Sequence, residues 1–282
     1  MAALLLAAKT GAPVIPVQVK RLYRNVQVLT AIDPPRNYRH TDALDRAADY
    51  IFKEFRQCGC RVEFQEFQAR GDGYRNVIAS FAADKRVRLV IGAHYDVCGD
   101  QPGADDNASG AAAILELARL LEELRPNLKY RVDLVAYTLE EPPFFRTGFM
   151  GSAVHARSLT REKVKVKLMV SLDMIGFFAG KNVTAVVGRA EQKGIVRRVK
   201  KLMTTAAGIE VIPVIAPPSR RGIDFSDHLN YWNQDFPAVM VTNYFTSHNP
   251  NYHSPRDTID TLDFRKLAEV VTGIYRLVTN LE

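Results

Sequence analysis

The chain has 282 residues, 47% hydrophobic and 24% charged, with a formal net charge of +7. That length and apolar content can bury a large core as one big α/β domain or two small ones, and no apolar run reaches the length of a membrane span. Three cysteines make no disulfide framework, and Lys and Arg are scattered, which argues against a nucleic-acid surface; the one cluster, Arg197-Arg198-Lys200-Lys201, reads as a solvated helix face.

Met1-Ala8 is apolar but short and has no positive segment before it, so it is not a complete signal peptide. Residues 1–16 are expected as a mobile N-terminal arm or the remnant of a signal, leaving a cytoplasmic and an exported location both open. Pro16 to Ile32 patterns as an amphipathic helix stopped by Asp33-Pro34-Pro35. Thr41 is expected to cap the next helix, in which Leu44, Ala47, Ala48, Ile51, Phe52 and Phe55 recur at helical spacing up to Gly59. Val62, Phe64 and Phe67 alternate with polar residues as a half-exposed strand, Gly71-Asp72-Gly73 turns the chain, and Asn76–Phe81 reads as a second strand. Leu89, Val90, Ile91 and Ala93 predict a buried strand ending at His94, and a buried helix runs from Ala108 to about Leu124. Alternation continues with strands at Val132–Tyr137, Leu168–Leu172, Asn182–Val187, Val211–Ile215 and Ala238–Thr242. Helices fall at Gly151–Leu159, Gln192–Ala207 and Leu262–Leu281. With no repeat and no linker, this predicts a single domain over 1–282. Its fold class is α/β, a three-layer α/β/α sandwich with a mixed, mostly parallel central sheet.

Polar residues suited to a metal recur just after these strands. His94-Tyr95-Asp96 closes the first buried strand, and Asp105-Asp106-Asn107 stands at the start of the helix that follows. Glu140-Glu141 follows the strand ending at Tyr137, Asp173 follows Leu172, and His253 lies past the last strand. Ligands of open α/β sheets bind at the carboxyl edge of the strands, and imidazole beside clustered carboxylates is a ligand set for zinc. Two histidines, two aspartates and one of the glutamates make five ligands, one more than a tetrahedral zinc needs. If one carboxylate bridges, five side chains serve two metals, and adjacent metals imply hydrolysis.

The segments HYDV, GADDNASG, LEE followed by GFMGS, SLDMIG and YHSPRDT, in that order from His94 to Thr258, resemble the co-catalytic zinc aminopeptidases of metallopeptidase family twenty-eight. The resemblance implies two zinc ions, His94 and Asp173 holding one, Glu141 and His253 the other, with Asp106 bridging. It implies Asp96 as the partner that orients His94, Glu140 as general base, and Tyr252 as a donor to the oxyanion. A water held between the two zinc ions would lose its proton near neutral pH and attack the peptide bond. The Asp106–Asn107 peptide bond is expected to be cis. The implied partner is a peptide with a free N-terminus, and carboxylates of the site meet its α-amine. Pro142–Thr147 departs from the family pattern, being longer than the usual link to the Gly-Ser helix start, and bears on the substrate pocket.

Arg220 and Arg221 precede Ser226-Asp227-His228 in a Pro/Ser/Gly loop and are candidates for contact with a peptide carboxylate or acidic side chain. His155 reads as a packing or surface residue. Two other functions share the fold: a glutaminyl-peptide cyclotransferase with one zinc, and a non-catalytic binding module. The cyclotransferases usually carry tryptophan before the last histidine ligand, where Tyr252 stands here, and binding modules typically lose ligands that this chain retains.

Overall fold

The described residues, 16–204, 208–217 and 219–282 of a computed structural model, order themselves as the apolar periodicity predicts. Helix α1 (Val19–Thr30) and helix α2 (Thr41–Arg56) lead into the strands β1 (Arg61–Ala69), β2 (Asp72–Phe81) and β3 (Val87–His94). Helix α3 (Gly110–Leu124), β4 (Arg131–Tyr137), α4 (Gly151–Arg161), β5 (Lys165–Leu172) and β6 (Val183–Arg189) follow. Then come α5 (Lys193–Met203), β7 (Glu210–Ala216), α6 (His228–Trp232), β8 (Ala238–Thr242), α7 (Tyr244–Ser247) and α8 (Phe264–Asn280). The expected N-terminal arm lies outside the described residues except for Pro16, and so do residues 205–207 of the helix expected to reach Ala207.

The eight strands form one mixed sheet in the order β1-β2-β4-β3-β5-β8-β6-β7. Its centre, β4-β3-β5-β8, is a parallel block, while antiparallel pairings join β2 to β4 and β6 to β8. Each central strand is apolar on both sides because helices cover both faces. One face buries Ile91, Leu134, Val170 and Val241 against α1, α2, α3, α5 and α8. The other buries Val90, Val135, Met169 and Met240 against α4 and α6. Among the described residues, no helix is long and apolar enough to cross a membrane.

Local chemistry corrects several boundaries. Thr41 is the first residue of α2 rather than its cap: His40 occupies that place, and its carbonyl accepts from the Ala43 and Leu44 N–H groups. The β1–β2 turn is Arg70-Gly71 rather than Gly71-Asp72-Gly73. Pairing of Ala69 with Asp72 leaves two loop residues, both at positive φ, which suits the right-handed twist of a tight hairpin. Helix α8 starts at Phe264, where the Asp263 carboxylate accepts from the Arg265 and Lys266 N–H groups.

Candidate metal centre

The carboxyl ends of the four parallel strands meet at one point. His94 ends β3, Glu140 and Glu141 follow β4, Asp173 follows β5, and the loop after β8 and α7 returns His253 to the same place. His94, Asp96, Asp106, Glu140, Glu141 and Asp173 are each at most 6% exposed.

Asp106 lies between the two histidines. Its Oδ1 is 3.3 Å from His94 Nε2 and its Oδ2 is 3.2 Å from His253 Nε2. His94 Nε2 also faces Asp173 Oδ2 at 3.8 Å and Glu140 Oε2 at 3.9 Å, while His253 Nε2 faces Glu141 Oε2 at 3.2 Å. Two three-residue groups fall within metal-binding reach around His94, one with Asp106 and Asp173, one with Glu140 and Glu141. A third joins Cys98, Glu141 and His253.

The loop carrying Asp106 is held from below. The Asp257 carboxylate accepts from the Asp105 and Asp106 N–H groups at 2.9 and 3.0 Å. Asp105 turns away from the centre, accepting from the N–H groups of Gly176 and Phe177 and from Asn249. Buried Arg36 donates to the carbonyls of Tyr95, Pro102 and Gly103, tying this loop to the end of β3. Two glycines make the loop possible. Gly103 sits at φ +60°, and a Cβ there would lie 2.4 Å from the Asp106 carbonyl oxygen; a Cβ on Gly110 would lie 2.6 Å from that of Leu172. The Asp106–Asn107 bond is cis, as expected. Asn107 is fully buried, its side chain bonded to the Leu172 carbonyl and the Gly110 N–H.

Asp96 does two jobs in this geometry. His94 Nδ1 hydrogen-bonds the Asp96 backbone carbonyl at 3.2 Å and lies 3.5 Å from its Oδ1, which turns Nε2 toward the centre. The two Asp96 carboxylate oxygens also accept from the Glu140 and Glu141 N–H groups at 3.1 and 3.0 Å, fixing the adjacent glutamates on the end of β4.

The donor set fits zinc. Among the described residues no Lys or Arg lies within 4 Å of the carboxylates of Asp96, Asp106, Glu140, Glu141 or Asp173, whose basic side-chain neighbours are histidines. Glu141 Oε1 and His253 Nε2 are buried without a hydrogen-bond partner. Burying several carboxylates without counter-charge is costly, and a divalent cation supplies that charge. Protons otherwise do so: burial pushes the Glu140 carboxyl well above its usual range, with the charges of Glu141 and Asp173 adding to it. Burial and the Asp106 charge raise Glu141 to about 8. Asp106 is the exception; burial would raise it, but the imidazoles of His253 and His94 outweigh that and hold it low.

Beside the carboxylates opens a cavity of about 90 Å³, with Phe145, Met174, Phe225, Met240, Tyr244 and Tyr252 among its walls. Phe145 belongs to the long segment after Glu141. Arg146 of that segment pairs with Asp224, binding it to the loop that carries Phe225. Tyr252 is 39% exposed and stacks on the His253 ring, centroids 3.7 Å apart. Arg220 and Arg221 are exposed and line no part of the cavity, although the next residue, Gly222, does; Arg220 lies over the Phe245 ring.

The residue pattern did not point to Asp257 or the His155 environment, and it singled out Asp227 only within the segment Ser226-Asp227-His228. Asp257 lies in the YHSPRDT segment, but its carboxylate acts on backbone 151 residues away, which no local signal announces. His155 is buried, bonded through Nδ1 to the Tyr231 hydroxyl. Asp227 is fully buried with neither carboxylate oxygen hydrogen-bonded, and burial raises it to about 7.

The pattern of peptidase family M28 matches residues 76–278. The chain is 42% identical over 288 residues to the Uncharacterized protein YfbL of Escherichia coli (strain K12), covering 93% of this chain and 88% of that one. It is 28% identical over 221 residues to Leucine aminopeptidase 1 of Ajellomyces capsulatus, covering 70% of this chain and 53% of the other, so it spans about half the length of that relative. Two solved structures share the fold. The LapA aminopeptidase of Legionella pneumophila superposes with a TM-score of 0.80 at 22% identity, covering 94% of this chain and 73% of its own. The glutaminyl cyclase of Bacteroides thetaiotaomicron superposes at 0.75 and 21%, covering 96% and 100%.

Proposed function

The chain belongs to peptidase family M28, and from that membership we propose that it is a dinuclear zinc aminopeptidase, one zinc-peptidase domain over residues 1–282 that releases the first residue of peptides with a free N-terminus. The observation that carries this reading is the place of Asp106, which offers one oxygen toward His94 and the other toward His253. His94 and Asp173 would hold one zinc, Glu141 and His253 the other, and Asp106 would serve both. When bound, zinc supplies Lewis acidity that polarises the scissile carbonyl and acidifies water.

The protein's own groups do the rest. Glu140, beside the ligands and not needed as one, takes a proton from the attacking water and passes it to the leaving amine. Asp96 positions both His94 and the Glu140-Glu141 backbone. The Tyr252 hydroxyl donates to the oxygen that gains charge as the carbonyl carbon becomes tetrahedral. Carboxylate oxygens of the site are assigned to the protonated α-amine. The walls built by Phe145, Met174, Phe225 and Met240 favour an apolar first side chain. Arg220 and Arg221, exposed on the loop that supplies Gly222, are assigned to the carboxylate of short peptides. Replacing both with alanine should weaken dipeptides more than neutral amides, and equal effects on both would remove them from the site.

The test pairs metal content with a substrate panel of amino-acyl-naphthylamides, dipeptides and glutaminyl peptides. Release of an apolar N-terminal residue by protein holding two zinc ions is expected. Cyclisation of glutaminyl peptides by fully active protein holding one ion would replace this reading with the cyclotransferase one.

A further inference from the structure

Cys98 stands on the loop leaving β3, four residues past His94, and is half-buried. Its thiol sulfur falls within 4.8 Å of a ligand atom of Glu141 and of one of His253. The other cysteines are placed differently: the Cys58 and Cys60 sulfurs face the backbone carbonyls of Glu54 and Phe55 at 3.5 Å each. Two atoms of the same residues, Glu141 and His253, lack a hydrogen-bond partner and are free to hold a ligand. The Glu141 side chain is 4% exposed and its Oε1 has no partner; His253 Nε2 likewise has no hydrogen-bond partner.

We propose that Cys98 is a protein donor to the Glu141–His253 metal position, binding as a thiolate. The inference rests on the reading that Glu141 and His253 hold a metal. Counting the shared Asp106, three donors face that position, and Cys98 makes four, the number a closed tetrahedral zinc site uses. The His94–Asp173 position, also counting Asp106, has three donors and keeps one place open. On binding, the S–H bond breaks, a sulfur lone pair forms the bond to the metal, and the proton leaves to solvent. No electron is transferred, so no co-reactant is required. A soft thiolate also biases this position toward zinc or cadmium over manganese or magnesium.

Full-length protein stripped of metal and reloaded with cadmium tests this through thiolate-to-metal charge-transfer absorption in the ultraviolet. The band should appear by two equivalents, persist in the Cys58→Ser/Cys60→Ser double variant, and vanish in Cys98→Ser. A second readout needs no variant: mapping iodoacetamide labelling of the native protein by mass spectrometry. Two equivalents of metal should protect Cys98 and leave the labelling of Cys58 and Cys60 unchanged. A band that survives Cys98→Ser, or Cys98 labelling indifferent to metal, overturns the proposal. If two equivalents bind without a band, Cys98 is no ligand while the Glu141–His253 position stands. If only one equivalent binds at any excess, the two-metal reading fails and takes this inference with it.

Discussion

Strands β3 and β4 bury carboxylates at both ends, and the two ends are treated in opposite ways. Near the amino end, Asp133 is fully buried, yet every charge it carries is met. Arg131 Nε donates at 2.7 Å, Arg88 Nη1 at 3.3 Å and the Ser80 hydroxyl at 2.6 Å. At the carboxyl end, Asp96, Asp106, Glu140, Glu141 and Asp173 face no guanidinium or ammonium within 4 Å among the described residues. Burial alone therefore does not separate structural acids from functional ones; the presence of a fixed counter-charge does. A carboxylate paired within the chain completes a folded network, whereas a cluster left unpaired keeps its affinity for a cation.

Activity is where the contrast should be largest. Glu140→Gln keeps the side chain's size but removes the carboxylate base, so kcat should fall by about 10²–10⁴ while metal content and folding are retained. Glu141→Gln should instead lose one metal, with activity partly restored by excess zinc. Steady-state kinetics beside metal analysis separate the two, and the reverse pattern would exchange the roles of the adjacent glutamates.

At the amino end the expected effect is on stability. Asp133→Ala leaves Arg88 and Arg131 facing each other without their shared acid and should cost about 3 kcal/mol. Denaturant unfolding should record that loss with metal stoichiometry unchanged. A loss of metal in this variant would mean that the two ends are coupled, and the contrast would break.

Asp96 belongs to the carboxyl end but works by holding others. Asp96→Asn should retain the fold and weaken zinc binding by about 10–100-fold, read by competition with a chromophoric chelator. A full-affinity variant would show that the Asp96 backbone carbonyl and packing suffice to orient His94.

The smallest expected effect is the slope of stability with pH. His155, near Asp133, Arg88 and Arg131, and His228 are both fully buried, and burial lowers each from 6.5 to about 4. Below 6.5 the unfolded chain gains protons that the folded chain refuses, so stability declines as pH falls toward 4; above 6.5 neither histidine contributes to the slope. Each contributes at most about 1.4 kcal/mol per pH unit inside that window. In the metal-free protein, His155→Gln should flatten the acid limb of stability measured by urea unfolding.

Much of this architecture is legible along the chain. The period-2 and period-3.6 patterns of the core segments are local properties, so β3, β4, α3 and α8 stand close to where the residues place them. Residues adjacent to strand ends were also legible, because a parallel sheet puts its carboxyl ends on one edge and so brings His94, Glu140-Glu141 and Asp173 together. Tertiary structure alone decided the remainder. The family resemblance already implied Asp106, but why it and not Asp105 faces the centre lies in Gly176, Phe177 and Asn249, which engage Asp105 from distant parts of the chain. Asp257 became the anchor of that loop, and the Arg146–Asp224 pair joined two cavity walls 78 residues apart. Cys98 gained the company of Glu141 and His253 only when β4 and the loop after β8 closed over it. A sequence announces chemistry by repeat and spacing within a strand or helix; which oxygen faces which nitrogen across the sheet depends on contacts between segments whose separation carries no local pattern.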